Sequence, residues 1–196
     1  MNVLTRADIM AMADYGKVRA EKRREIAQVK RNRRVEVGPF ATFYFENRAT
    51  MWHQVHEMLF IEKGGEDQIA DELAAYNPLI PNGRELVATV MIEIDDERRR
   101  RTVLARLGGF EETMFIRFGE HEVAGVPEDD IDRTTADGKA SSVQFVHFPF
   151  TEAQAAAFKR GASGAGEAVV GVGHPNYAHM AVMPAAVRES LAADLD

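Results

Sequence analysis

The first third of the chain carries the hydrophobic pattern of an amphipathic helix. One narrow apolar stripe recurs at helical spacing, and the positions around it are mostly Arg and Lys. The stripe consists of Tyr15, Val18, Ile26 and Val29. Gly38 and Pro39 then break the helix. The pattern predicts a basic helical arm over residues 1–37.

A second helix is predicted from Arg48 to Lys63, because Asn47 is a good N-cap and two glycines follow the last residue. Its apolar side contains Met51, Trp52, Val55, Met58 and Leu59. Glu62 falls near the middle of that side, at the end of the helix. A carboxylate at this position either reaches solvent or is semi-buried and holds a partner.

The rest of the chain alternates between strands and short helices. Leu86–Ile94 is apolar on both faces, which predicts a central strand. Ser141–Phe148 is a further strand, and two strand-like runs, Glu167–Gly173 and Tyr177–Met183, flank a turn. We predict an α+β fold, in which the helical N-terminal third packs on a mainly antiparallel sheet of about five to seven strands with short covering helices. Residues 38–196 are expected to form a single α+β domain.

The charge is distributed unevenly along the chain. Residues 1–40 contain ten Lys and Arg against five Asp and Glu, whereas the whole chain has a net charge of −7. A basic helix with an apolar stripe is typical of an element that docks on the acidic body of its own chain, or on that of a second copy in a homo-oligomer. The alternative is nucleic-acid binding, although no aromatic residue alternates with the arginines as single-strand stacking requires.

The chain contains no cysteine. Disulfides, iron–sulfur clusters, thiolate zinc sites and cysteine nucleophiles are therefore excluded. A divalent metal would have only nitrogen and oxygen ligands, and any iron–sulfur chemistry would belong to a partner. No apolar stretch has the length and composition of a signal peptide or a membrane helix, so we expect a cytoplasmic protein with no membrane partner.

The end of the chain holds the main candidate site. If His174 pairs with Tyr177 across a hairpin, their side chains point to one side of the sheet, and Val172 then faces His179 on that side. The two histidines and the tyrosine would share a metal, an anion or a substrate there, with His147 as a third nitrogen from another strand. The alternative is that the hairpin residues cover a hydrophobic edge and that His147 is a core histidine.

A second metal-ligand pattern lies on the predicted helix from Arg48 to Lys63. His53, His56 and Glu57 are spaced so that the three side chains converge on one ion. The spacing is not that of zinc proteases, which need two histidines four residues apart. The alternative is a surface pair formed by His53 and Glu57.

The segment Gly161–Gly166 is rich in glycine and invites a nucleotide-binding interpretation. However, it follows a predicted helix and precedes a predicted strand, which is the reverse of the order in phosphate-binding loops. We interpret it as a helix C-cap followed by a turn.

Several motifs are distributed over nearly the whole chain. They are Phe45-Glu46-Asn47-Arg48-Ala49-Thr50, Glu57-Met58-Leu59 with Glu62, Tyr76-Asn77-Pro78-Leu79-Ile80-Pro81-Asn82-Gly83, Glu128-Asp129 with Arg133-Thr134, Gly138-Lys139, and His174-Pro175-Asn176-Tyr177. Together they resemble the bacterial family DUF3501, which has no established activity. The resemblance implies, through the gene neighbourhoods of the family, partners of the rubrerythrin-like and iron–sulfur redox classes. The acidic and hairpin residues within the matching segments are Glu46, Glu57, Glu62, His174 and Tyr177.

Three functions follow from these patterns. The first is a cytoplasmic accessory or binding protein that works with redox or oxidative-stress partners. The second is a metal-dependent enzyme with a His/Glu site. Its ligands would be His147, His174 and His179, its general base or fourth ligand Glu57 or Glu62, and its proton donor Tyr177. The third is a nucleic-acid binder that uses the Arg-rich helix.

Overall fold

The computed structural model describes residues 3–128, 134–135, 138–162, 164 and 166–196. Some motif and turn positions lie outside these described residues. They are Asp129 and Arg133 of one motif, Asp137 of a predicted turn, and Ser163 and Ala165 of the glycine-rich segment.

Helices and strands alternate along the described part of the chain. Its six α-helices are α1 (Met12–Arg31), α2 (Arg48–Glu62), α3 (Glu66–Tyr76), α4 (Glu97–Leu104), α5 (Glu152–Ala162) and α6 (Ala185–Ala192). Its nine strands are β1 (Arg34–Val37), β2 (Ala41–Phe45), β3 (Glu85–Ile92), β4 (Met114–Phe118), β5 (His121–Ala124), β6 (Val126–Pro127), β7 (Val143–Pro149), β8 (Ala168–His174) and β9 (Tyr177–Val182). The glycine-rich segment begins within the last turn of α5, at Gly161 and Ala162, and Gly166 precedes β8, which confirms the predicted order of helix, segment and strand.

The strands form two antiparallel sheets. The first sheet has the order β1-β2-β3-β7-β6, and the second has the order β5-β4-β8-β9. The α+β class is therefore confirmed, with the strands divided between two sheets of five and four strands where the sequence analysis expected one sheet. The chain passes from the second sheet to the first between β5 and β6, at Gly125. A Cβ atom there would lie 2.6 Å from a methyl carbon of Val146, so only glycine allows this close crossing.

The N-terminal region differs from the predicted arm at its C-terminal end. The helix stops at Arg31, and residues 34–37 form the edge strand β1, in which Val35 and Val37 are buried and their neighbours are exposed. This alternation has the two-residue period of a strand, which the run of basic residues before it obscures in the sequence. Helix α1 packs on α2 of its own chain, where Arg19 pairs with Glu57 at 2.8 Å.

Two hydrophobic cores lie on opposite faces of the first sheet. Along β3, Leu86, Ala88 and Val90 join the core between the two sheets, whereas Val87 joins the core under α2 and α3. This confirms the prediction that the strand is central and apolar on both faces. We call the helix-covered side of the first sheet its outer face.

A buried arginine ties the first sheet to the C-terminal residues. Arg33 is 3% exposed and donates hydrogen bonds to the backbone carbonyls of Phe45 and Glu46, both at 2.9 Å. Its guanidinium also pairs with Asp194. These contacts fix the backbone at the point where β2 ends and the chain turns toward α2.

None of the helices in the described ranges is both long enough and apolar enough to cross a membrane.

Candidate functional site

The hairpin formed by β8 and β9 has the predicted register. His174 pairs with Tyr177, and Val172 pairs with His179, which confirms the spacing argument. The ring centroids of Tyr177 and His179 lie 4.6 Å apart. The structure therefore brings His174, Tyr177 and His179 into one hairpin.

The polar atoms of His174 are used within the protein. Its Nε2 lies 3.1 Å from the carbonyl oxygen of Gly108, and its Nδ1 accepts a hydrogen bond from the backbone N–H of Asn176 at 3.1 Å. Because a carbonyl only accepts, Nε2 carries the hydrogen. The side chain is 7% exposed, so His174 joins two loops in the interior.

Tyr177 is also engaged by the backbone. Its hydroxyl donates to the carbonyl of Val37 at 2.5 Å and accepts from the backbone N–H groups of Phe40 and Ala41 at 3.2 and 3.0 Å. Burial raises the pKa of Tyr177. The hydroxyl thus holds the turn between β1 and β2. Gly38 in that turn has a φ of 70°, and a Cβ atom there would lie 2.7 Å from the tyrosine oxygen.

The predicted acidic partners lie elsewhere, on α2. Glu57 accepts hydrogen bonds from Arg19 and from the hydroxyl of Tyr15, and the bond from Arg19 lowers the pKa of Glu57 to about 2. Glu62 is exposed at the helix end, where it accepts a hydrogen bond from Gln68. A fully ionised, arginine-bound carboxylate is a poor general base, so the contacts give Glu57 a role in joining α1 to α2.

The pattern of His53, His56 and Glu57 does not form one site. His56 is completely buried, with Nδ1 against the carbonyl of Trp52 at 2.7 Å and Nε2 accepting from the backbone N–H of Met10 at 3.0 Å. Burial lowers the pKa of His56, which favours the neutral ring. Both nitrogens of His56 are therefore occupied by backbone groups.

His147 lies on the outer face of the first sheet, between two carboxylates. Its Nδ1 is 2.9 Å from Glu85 and its Nε2 is 3.1 Å from Glu128. These hydrogen bonds raise the pKa of His147, and the one to Glu85 has the larger effect. The two ring nitrogens point in different directions, and each contacts its own carboxylate. A single ion therefore cannot be bound by one ring nitrogen of His147 together with both carboxylates.

The structure thus places His147 apart from the hairpin of His174 and His179, on the other sheet. Among the described residues, no group of three or more His, Cys, Asp or Glu side chains could hold a metal ion. The ligand set proposed from the sequence has no common centre in this part of the chain.

A cleft of about 530 Å³ opens on the outer face of the first sheet, beneath α2. Its polar lining consists of Lys30, Tyr44, Glu46, Gln54, Tyr76 and Thr89. Its apolar lining consists of Met51, Leu79, Met91, Val143 and Phe145. We call it the Glu46 cleft, because this carboxylate is its most deeply buried charged group.

Strand alternation and a helix cap build this cleft. Tyr44 of β2 pairs with Thr89 of β3, and Thr89 pairs with Phe145 of β7, so these side chains form a row across the sheet. Glu46 follows β2, and Asn47 then caps α2 by accepting from the backbone N–H of Thr50 at 3.0 Å. The helix therefore leaves the sheet directly after Glu46 and covers one side of the cleft.

Glu46 is held but not neutralised. It is 6% exposed, and one of its carboxylate oxygens accepts a hydrogen bond from the hydroxyl of Thr89 at 2.7 Å. Within the described residues it has no ion pair, and no second side chain donates to it. Such a carboxylate retains unused acceptor capacity, since an ionised carboxylate accepts several hydrogen bonds.

Other polar groups of the lining are already engaged. The hydroxyl of Tyr44 donates to Glu93 at 3.0 Å, and the amide of Gln54 lies 3.4 Å from the hydroxyl of Tyr76. Lys30 is half-buried and forms no ion pair with the described part of the chain. The lining thus carries one acidic and one basic group, of which the acidic one lies deeper.

Only part of this cleft was predictable from the sequence. Glu46 was singled out through its motif, whereas Thr89, Gln54 and Tyr76 were not proposed as site residues. Thr89 is the one polar side chain in the strand run Leu86–Ile92, which is the signal that could have identified it. Tyr76 opens one of the family motifs.

One comparison with known proteins identifies the family, and a second finds a solved structure of the same fold. The family model described as a protein of unknown function, DUF3501, matches residues 3–195. A crystal structure of a novel protein of unknown function from Burkholderia pseudomallei K96243 is 37% identical, with a TM-score of 0.90 over 99% of this chain and 100% of that one. No curated protein matches the chain. The resemblance drawn from the motifs is thereby confirmed, and the chain belongs to the DUF3501 family.

Proposed function

We propose that the protein binds a small molecule in the Glu46 cleft. The observation that carries this proposal is a carboxylate, 6% exposed, that lines an open cleft with one hydrogen bond and no ion pair among the described residues. The second carboxylate oxygen is open to the cleft and has no partner among the described residues, so a bound ligand can donate a hydrogen bond to it.

The size and lining of the cleft support this proposal. Ligand pockets in proteins are typically roughly 300–1,000 Å³, with mostly apolar walls and a few polar groups that orient the ligand. The Glu46 cleft has about 530 Å³, with the apolar side chains Met51, Met91 and Phe145 beside its hydroxyl, amide and carboxylate groups. The β8–β9 hairpin offers a ligand fewer polar groups, because the polar atoms of His174 and Tyr177 are bound by the backbone.

The proposal refines the first of the three functions, a cytoplasmic accessory or binding protein. Partners of the redox or oxidative-stress classes stay a prediction based on the family resemblance. The cytoplasmic location and a homo-oligomer are likewise predictions.

The other two functions stay predictions with less support. A metal-dependent enzyme with a His/Glu site lacks a group of ligands in the described ranges. A nucleic-acid binder would use α1, where Lys17, Arg19 and Lys22 each pair with a carboxylate of the same chain. These pairs reduce the charge that α1 offers to phosphates.

A fragment screen tests the proposed function. Soluble fragments of mixed charge are screened against the protein by ligand-observed NMR, and hits are retested on Met91→Trp, which fills the cleft. The matched control is Met180→Trp, because Met180 lies on β9 and is 59% exposed. We expect hits that Met91→Trp removes and Met180→Trp retains. The proposal is wrong if no fragment binds, or if the hits survive in a folded Met91→Trp variant.

A further inference from the structure

We propose that the ligand of the Glu46 cleft carries a cationic nitrogen, such as an ammonium or guanidinium group, on an apolar or aromatic body. This inference rests on the proposed binding function and adds the chemical class of the ligand. It assigns the cationic group to Glu46 and the body to the wall formed by Met91 and Phe145.

One oxygen of the Glu46 carboxylate has no hydrogen-bond donor among the described residues. Thr89 donates to one oxygen of Glu46 at 2.7 Å and so fixes the orientation of the group. Arg33 also binds the backbone carbonyl of Glu46 at 2.9 Å, which holds the residue in place from behind. A carboxylate fixed in this way is preorganised for a charged donor, and such hydrogen bonds are stronger than neutral ones.

Within the described residues, no cation of the chain is paired with Glu46. Arg33 uses its guanidinium on Asp194 and on backbone carbonyls, and Arg48 pairs with Asp8 at 2.5 Å. No salt bridge joins Lys30 to Glu46 in the described part of the chain, although both line the cleft. Arg33 and Arg48 are therefore committed elsewhere, which leaves the open oxygen of Glu46 available to the cation of a ligand.

The wall of the cleft beside Glu46 is apolar and contains two methionines and a phenylalanine. The ring of Phe145 lies in the same row as Thr89, and the thioether side chains of Met51 and Met91 lie beside it in the lining. Thioether side chains adapt to flat apolar groups. A neutral ligand would leave the carboxylate unpaired, and an anionic ligand would oppose it.

Lys30 does not reverse this preference. Its charge and that of Glu46 cancel at long range, so the direct contact decides which ligand charge is accepted. Glu46 is deeply buried, whereas Lys30 is only half-buried and its long side chain reaches water more easily. The second oxygen of Glu46 has no partner among the described residues and is open to the cleft, so it is the group that a ligand contacts directly.

The test compares fragments of matched shape in three charge classes. The core trio is tyramine, the neutral alcohol tyrosol and the anion 3-(4-hydroxyphenyl)propanoate, each within a larger set of similar amines, alcohols and acids. Dissociation constants are measured by NMR titration on the full chain, on Glu46→Gln and on Glu93→Gln. Glu93→Gln is the matched control, because Glu93 is an exposed carboxylate that Thr42 and Tyr44 hold outside the cleft lining.

We expect the amines to bind about tenfold more tightly than the alcohols and acids, which is the ratio that a charged hydrogen bond provides. Glu46→Gln should weaken the amines by a similar factor and leave the alcohols unchanged, while Glu93→Gln changes neither. Glu46→Asp, which keeps the charge, should retain the preference for amines. Glu46→Gln should fold, because its amide oxygen still accepts from Thr89.

The outcomes separate the two proposals. If fragments bind in the cleft but alcohols or acids equal the amines, or if Glu46→Gln leaves amine binding unchanged, the ligand class is wrong and the binding function stands. If no fragment of any class binds in the cleft, the proposed function is wrong as well.

Discussion

The hydroxyl of Thr89 donates a hydrogen bond of 2.7 Å to the carboxylate of Glu46, across two neighbouring strands of the first sheet and 43 residues of chain. The contact fixes the orientation of Glu46, a residue of one of the family motifs, in the lining of the cleft. The threonine orients the carboxylate without forming an ion pair, which distinguishes Glu46 from Glu57, Glu85 and Glu128. Glu57 is bound by Arg19, and Glu85 and Glu128 are bound by His147.

The pair of Arg19 and Glu57 should make stability depend on acid pH. The hydrogen bond from Arg19 lowers the pKa of Glu57 from its usual 4.5 to about 2. A carboxyl group with a lowered pKa in the folded state contributes stability above pH 4.5 and loses it as the pH falls toward 2. We expect Glu57→Gln to cost about 1–2 kcal/mol near pH 7, since water screens part of the pair, and to cost nearly nothing near pH 2. Urea unfolding from pH 2 to 7 measures this.

The matched control for Glu57→Gln is Glu62→Gln, an exposed position on the same helix. It should shift the unfolding free energy by less than about 0.5 kcal/mol at any pH. An equal loss for Glu57→Gln at both ends of the pH range would contradict the role of the ionised pair.

The bridge that His147 forms with Glu85 and Glu128 should make the protein less stable as the pH rises, which is opposite to the effect of Glu57. Its hydrogen bonds to Glu85 and Glu128 raise the pKa of His147 above 6.5 in the folded state. A base with a raised pKa contributes its full stability below pH 6.5 and loses it as the pH rises through the folded value. We expect the wild-type protein to lose stability as the pH rises above 6.5, and His147→Gln to lose less. His179→Gln, on the exposed strand β9, should behave like the wild type.

An NMR titration gives the direct check on His147. Its ring should titrate above 6.5, and Glu85→Gln should lower that value. A titration at or below 6.5 in the wild-type protein would contradict the bridge.

The hydroxyl of Tyr177 should matter for stability rather than for ligand binding. Tyr177→Phe removes one donated and two accepted backbone hydrogen bonds at the turn between β1 and β2. Leaving these buried groups without partners should cost about 1–3 kcal/mol. Tyr44→Phe, whose hydroxyl donates to the exposed Glu93, should cost less than about 0.5 kcal/mol. Denaturant unfolding compares the two variants. Equal losses of unfolding free energy would contradict the role of the Tyr177 hydroxyl in holding the turn.

Local patterns in the sequence determine much of this fold. The register of His174 with Tyr177 was predictable, because the proline turn between two apolar runs leaves one pairing that keeps their buried faces together. Asn47 marked the start of α2 for a similar reason, since its side chain caps the first turn. Both features depend on residues within a few positions of each other.

Features that depend on distant pairing were not predictable in this way. The alternation of a strand such as β4 gives its two faces but not its neighbours, so one sheet and two sheets look alike in sequence. The strand β1 was hidden because only four residues alternate after a long basic helix. The Glu46 cleft needs the contact with Thr89 and the path of α2 over the sheet, which no local spacing encodes.

The most direct measurement is a crystal structure of the wild-type protein soaked with the amine fragment that binds most tightly. We predict that the fragment lies in the Glu46 cleft with its cationic nitrogen at hydrogen-bond distance, about 2.7–2.9 Å, from a carboxylate oxygen of Glu46. The apolar body should lie against Phe145 and Met91. A fragment bound elsewhere, or bound in the cleft with its nitrogen turned away from Glu46, would contradict this account.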